Sequence, residues 1–392
     1  MINKNKDKGI TLVALVITII ILLILATISI QSLTNTGLFQ KAQEAKEKTQ
    51  NAEENQAKTL NEYEDELNKY ISGDVKKPVK KVSDNIGSVL STTDNTELED
   101  AYGNKIVVPA GFKIVSDSTT NNAQTVNQGI VIEDATKTSE GTATSTSGSQ
   151  FVWIPVGKLY TDTAKTDANA KTIELNRYTF DSNGKPTTQG EKVIETYYSE
   201  TASKGNTVAK DINAFKTSVT TNGGYYIGRY EARTTTPRTA KGDALTQITE
   251  KGTDSVYNYV EQKQAAEQAQ NMYNSNKFTS DLMNGYAWDT ATLFLQTCGT
   301  NTTYSRKNSV NTALSQTGTN IQKTKDVQCN VYDMASNVLE WTTETSYKPN
   351  IPCVGRGGYY YNSNYYTSDR NYDNTSNSYD RIGFRPLLYL NI

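Results

Sequence analysis

No charged side chain occurs between Gly9 and Gln40, and 17 of the 21 residues in 10–30 are Ile, Leu, Val or Ala. A helix rises ~1.5 Å per residue, so the run is long enough for a hydrocarbon core of ~30 Å. Lys4, Lys6 and Lys8 precede it against one Asp7. That arrangement predicts an N-terminus inside the cell membrane and an extracellular C-terminal domain. A cleaved signal peptide would have a shorter apolar region of about 7–15 residues ending in a small-residue site, and none follows here. A plain signal-anchor helix is compatible with the same composition.

Lys8-Gly9-Ile10-Thr11-Leu12-Val13 resembles the leader junction of type IV prepilins. The resemblance implies a leader over 1–9, cleavage between Gly9 and Ile10 by a prepilin peptidase, and association with other pilin-like subunits. Pilins usually carry a glutamate where this chain has Ala14, a departure that favours a minor or pseudopilin-like role over bulk filament assembly. Leu38–Ile71 is rich in Ala, Glu, Lys and Gln, all good helix formers. The helix is therefore expected over 10–72, with its second half outside the bilayer. Residues 73–100, with Pro78 and a run of lysines, read as a linker.

The body of the chain, 101–392, reads differently. Lys105–Pro109, Phe112–Val115, Gly129–Glu133, Gln150–Pro155 and Tyr225–Ala232 are short strands between turn residues. Ile173–Phe180 and Lys185–Thr188 flank Asp181-Ser182-Asn183-Gly184, a hairpin signal that lacks the later ligands of a calcium loop. Helices are expected at Asp211–Ser218, Val256–Asn274 and Ala287–Cys298.

Histidine is absent, which removes imidazole general bases, Ser-His-Asp triads and His-ligated metals. The three cysteines, Cys298, Cys329 and Cys353, form no CxxC and no zinc cluster. With 40 basic and 42 acidic side chains, the chain lacks the clustered positive charge that nucleic acid demands.

Four segments then align in order: Phe151–Pro155; Gly224–Glu231; Val331-Tyr332-Asp333-Met334-Ala335-Ser336-Asn337-Val338-Leu339-Glu340-Trp341; and Arg356-Gly357-Gly358 with Ile382-Gly383-Phe384-Arg385. Together they resemble the formylglycine-generating-enzyme and sulfatase-modifying-factor family, with an insertion at about 158–222. The resemblance implies an α+β fold: a long N-terminal pilin-like helix followed by an irregular C-type lectin-like domain of short strands and few helices. The family's oxidases use a cysteine pair between the segments matching Arg356 and Arg385. This chain has no cysteine there, so it is expected not to be an enzyme. The resemblance also implies a structural Ca2+ held by the side chains of Asp333 and Glu340 and the carbonyls of Ser336 and Val338. The alternative is that Glu340 pairs with Arg356 or Arg385.

Arg356–Arg385 contains seven of the chain's 25 tyrosines, with many Asn, Ser and Asp. Tyrosine offers rigid amphipathic contact area, and small polar residues offer adaptable hydrogen bonds. The expected ligand-binding residues are Tyr359, Tyr360, Tyr361, Asn362, Asn364, Tyr365, Tyr366, Asn371, Tyr372 and Tyr379. The stretch resembles the variable region of diversity-generating-retroelement target proteins. These features point to a pilin-like surface protein with a non-catalytic, adhesin-type head for an unidentified surface ligand. The competing expectation is a structural minor pilin or pseudopilin of a secretion or uptake machine.

Overall fold

The computed structural model describes residues 15–22, a subset of positions between 46 and 64, and 79–392 apart from 116–123, 191, 194–197, 200–207, 311–312 and 317–325. The chain divides into two compact units, 1–78 and 79–392. In the first, residues 15–22 are helical and exposed, as are the described positions between 46 and 64. Gly9, Ile10 and Ala14 lie outside the described residues.

This corrects two expectations. Among the described residues no helix is long and apolar enough to cross a membrane. The long pilin-like helix over 10–72 is not seen among the described residues, and the membrane anchoring argued from it is not supported. The described part of 101–392 consists mostly of short β-strands with few helices, so the departure from the expected α+β architecture lies in the long N-terminal helix.

Ten strands organise the second unit: β1 (Phe112–Val115), β2 (Val131–Asp134), β3 (Gln150–Pro155), β4 (Gly224–Gly228), β5 (Phe278–Leu282), β6 (Leu339–Ser346), β7 (Cys353–Arg356), β8 (Arg370–Asp373), β9 (Ile382–Phe384) and β10 (Pro386–Leu390). The first sheet runs β5-β10-β4-β3-β2-β1. Its central strands are apolar and buried almost throughout, so they lack the alternation of a strand with one wet face. Trp153 of β3 lies against Tyr226 of β4 at 4.9 Å between ring centroids.

Helix α1 (Ile212–Asn222) packs Phe215 against Tyr225 and Tyr389 at 5.4 and 5.6 Å. Asp211 caps its first turn by accepting from the amides of Asn213 and Ala214, and Gly223 ends it at φ 76, the left-handed position glycine takes without steric cost. Helix α2 is Gln262–Gln270, and α3 is Gly285–Cys298. Helix α3 is buried from Gly285 to Gln296, not along one face alone.

The expected linker ends earlier than its sequence suggests. Val82 and Leu98 are fully buried in the main core, and Thr96–Glu99 pairs antiparallel with Lys105–Val108. Residues 79–100 therefore belong to the second unit. The Asp181–Gly184 segment is a turn: the Asp181 carboxylate accepts from the amides of Asn183 and Lys185 at 2.8 and 2.9 Å.

The second sheet places β6 between β7 and β9, antiparallel to the first and parallel to the second, with β8 outside β7. Strand β6 is buried at all its positions although it reads Leu-Glu-Trp-Thr-Thr-Glu-Thr-Ser. Polar groups removed from water need partners. Glu344 finds them in Arg177, Arg356 at 2.7 Å and Arg370 at 2.9 Å. Asp289 of α3 meets Arg356 at 2.5 Å and also pairs with Arg370. Burial pushes the Glu344 carboxyl up, but the guanidinium groups of Arg370, Arg356 and Arg177 outweigh it and hold the carboxyl well below its usual range.

Candidate ligand-binding face

The tyrosine-asparagine segment leaves the sheet at the end of β7. Gly357 has φ 78, and a Cβ there would stand 2.3 Å from the Met334 carbonyl oxygen. A Cβ on Gly358 would meet the Ala335 carbonyl at the same distance. These two glycines let the backbone lie directly on the Asp333–Val338 turn, and the Tyr360 amide then donates to the Asn337 carbonyl at 3.0 Å. Two residues of that turn are left-handed, Asp333 at φ 64 and Asn337 at φ 66. Asn and Asp tolerate that conformation better than most residues. Ser336 is not left-handed, so its place in the motif carries no backbone strain. The Asn337 amide donates to Glu231 at 2.6 Å, and its oxygen accepts from the Ser315 amide at 2.7 Å.

The far side of the segment is also pinned. Thr367 and Ser368 donate from their amides to the carbonyls of Lys307 and Ser305, and the Trp288 indole donates to the Thr367 carbonyl at 2.9 Å. Arg356 donates from Nε to the Asp369 carbonyl at 2.9 Å, from Nη1 to Glu344, and from Nη2 to both the Ser368 carbonyl at 3.2 Å and Asp289. One buried guanidinium thus ties the segment to α3 and β6.

None of the ten expected contact residues is buried. Tyr361, Asn364, Tyr372 and Tyr379 are exposed; Tyr359, Tyr360, Asn362, Tyr365, Tyr366 and Asn371 are half-buried. Tyr359 stacks on Tyr365 at 5.4 Å, and Tyr360 meets Tyr361 edge-on at 6.4 Å. Arg381 lies over Tyr379 at 4.4 Å and near Tyr359 at 5.9 Å. The Tyr360 hydroxyl donates to Asp380 at 2.6 Å. Burial and then that carboxylate push its hydroxyl up to about 12, so it stays a neutral donor across the physiological range.

Three basic residues at this face were not singled out in the sequence. Arg306 lies over Tyr366 at 3.8 Å, Lys348 over Tyr372 at 3.6 Å, and Arg381 closes the set. Arg306 and Lys348 lie outside the tyrosine-rich stretch, and no local spacing marks them. Arg381 sits beside the Ile382–Arg385 motif and was legible as a neighbour of it.

The expected calcium set is arranged differently from a cation cage. Glu340 is buried and both its oxygens are engaged by Arg385, at 2.6 and 3.0 Å. Arg385 also donates to the carbonyls of Gly228 and Tyr332. Among the described residues no group of three or more His, Cys, Asp or Glu side chains could hold a metal ion. Arg385 thus takes the position at Glu340 that the expected set of Asp333, Ser336, Val338 and Glu340 assigns to calcium. Asp326, Glu231 and Glu250 lie close by; burial pushes all three carboxyls above their usual range.

The cysteines do not form a reactive centre. Burial raises the Cys298 thiol to about 12 and moves the Cys329 thiol in the same direction, so neither is a thiolate near neutral pH, the form a nucleophile requires. Cys353 is buried in β7.

No family model matches the sequence, and no curated protein matches it. The resemblances to prepilins and to the formylglycine-generating-enzyme family therefore rest on the quoted motifs alone. Among solved structures the chain is similar to Treponema denticola variable protein 1, at 13% identity over 62% of this chain and 97% of that one. The TM-score is 0.36, too low for the likeness to bear on fold or function.

Proposed function

We propose that this protein is a non-catalytic binding protein whose 359–379 segment contacts a macromolecular ligand in the manner of a lectin-like, adhesin-type head. The observation that carries the reading is the contrast within one segment. Its backbone is clamped at both ends by buried glycine, tryptophan and arginine contacts, while all ten expected side chains reach the surface. A rigid frame holding exposed aromatic side chains keeps the entropic cost of binding low. The same separation of frame from side chains would suit a segment whose residues vary between close relatives, as the retroelement-like composition suggests. The absence of histidine and the raised thiols of Cys298 and Cys329 support a role without chemistry.

A photo-crosslinking amino acid at position 361 or 372 of the full chain, in cells of the source organism, tests this. Both positions should give the same crosslinked partner, and position 185, on the Asp181 turn, should not. Identical products from all three positions, or none from 361 and 372, would overturn the reading.

A further inference from the structure

The charges on the tyrosine face are unequally satisfied. Its carboxylates are used internally. Asp380 accepts from the Tyr360 hydroxyl at 2.6 Å, Asp369 from the Tyr366 amide at 2.9 Å, and Asp373 from the Asn374 amide at 3.0 Å and from Asn377. Among the described residues the close contacts of the three cations are with rings, and Arg306 also acts at longer range on the Asp369 carboxyl. Arg306, Lys348 and Arg381 each lie over a tyrosine, at 3.8, 3.6 and 4.4 Å. Among the described residues none of the three forms an ion pair. Cation–π contact orients a cation without neutralising it. Each of the three is half-buried, so part of its hydration is already removed and its direction is fixed before a ligand arrives. A carboxylate docking there would meet an oriented cation beside an aromatic surface, the combination found at binding hot spots.

Resting on the binding-face reading above, we propose that the ligand is an acidic polypeptide segment, with separate Asp or Glu side chains flanked by apolar ones. A uniformly charged polymer fits less well. Asp369, Asp373 and Asp380 alternate along the segment with Tyr366, Tyr372 and Tyr379, the rings that the three cations cover, and would repel a continuous run of negative charge. Tyr361, Tyr372 and Tyr379 offer exposed rings between them, which suits apolar residues between the acids.

The experiment is selection of a random-sequence displayed peptide library on the immobilised full chain at low salt. Selected peptides should be enriched in Asp and Glu beside aromatic or aliphatic residues. Their binding should weaken at least tenfold between 50 and 500 mM NaCl, as the Debye length shrinks. The Lys348→Gln/Arg381→Gln pair should lose at least tenfold in affinity, and Arg381→Lys should lose less. Peptides without acidic enrichment, acidic peptides indifferent to the glutamine pair, or preferential capture of heparin over peptides would overturn the proposal. If the glutamine pair unfolds, the salt series on the unaltered chain decides, and weakening below twofold overturns it. The Tyr361→Ala/Tyr372→Ala pair separates the two readings. Neutral peptides that need the tyrosines would sink the charge assignment alone. Acidic peptides that need Lys348 and Arg381 but not the tyrosines would sink the binding-face reading and leave the charge assignment standing.

Discussion

Glu344→Gln removes the charge at the centre of the ion network beneath the tyrosine face. In the native chain that carboxylate engages Arg177, Arg356 and Arg370, and Asp289 supplies the other negative charge. The substitution leaves three guanidinium groups facing one carboxylate, all of them buried or nearly so. Breaking a buried pair typically costs ~3–5 kcal/mol, because the abandoned charge stays desolvated. Domains of ordinary stability have ~5–15 kcal/mol in total, so urea unfolding should show a large fall in midpoint. The pH dependence gives an independent check. Glu344 titrates lower in the folded chain than its ordinary value of 4.5, so its contribution is complete above about that pH and is lost as pH falls through the folded value. The gap between native chain and variant should therefore be constant from pH 5 to 8 and narrow below about 4.5. Adding Arg370→Met to the variant should restore part of the loss, since contacting residues couple. A loss under ~1 kcal/mol, the worth of an exposed pair, or a gap that stays constant through acid, would refute the reasoning.

Burial raises the Asp281 carboxyl to about 6 from an ordinary 3.8. Its contribution to stability is thus full below 3.8 and lost as pH rises through about 6. Asp281→Asn should remove this decline, worth ~3 kcal/mol at ~1.4 kcal/mol per pH unit, and melting temperature against pH will show it. Gly357→Ala should cost at least the ~1–2 kcal/mol of a left-handed non-glycine residue, with the approach to the Met334 carbonyl adding to it, and a lowered melting temperature will show it. Arg385→Gln should cost ~3–5 kcal/mol by stranding Glu340. Because Arg385 already occupies both Glu340 oxygens, millimolar calcium should leave the melting temperature of the native chain unchanged, and a calcium-dependent rise would show that the cation displaces the guanidinium.

The strands were legible because turn residues fence them, and the Asp181 hairpin because its aspartate organises its own turn. Helix α2 was overdrawn. Ser255–Val256 pairs with Arg233–Thr234, and Tyr259 is left-handed at φ 52, so the helix starts only at Gln262, where the Gln264 side chain accepts from the Glu261 amide. The packing of 79–100 was hidden because scattered apolar residues, Val82 and Leu98 with Ile86 and Leu90 beside them, anchor a polar stretch. The ion network was invisible because its partners are far apart in sequence: Arg177 meets Glu344 across 167 positions and Arg370 meets Asp289 across 81. Tyrosine enrichment pointed to a segment whose ten chosen residues are exposed or half-buried, but the cations Arg306 and Lys348 reach it only through the fold.

The most direct test of a face displayed on, and not built into, the fold compares two variants by chemical denaturation. The Tyr361→Ala/Tyr372→Ala/Tyr379→Ala chain removes rings that are 78%, 41% and 39% exposed. It should lose only about 1–2 kcal/mol in total, mostly from the contacts of Lys348 and Arg381. Trp341 is fully buried and donates to the Val260 carbonyl at 2.8 Å. Trp341→Ala should lose ~3–5 kcal/mol. A triple variant as unstable as Trp341→Ala would place the tyrosines in the core and contradict the binding assignment.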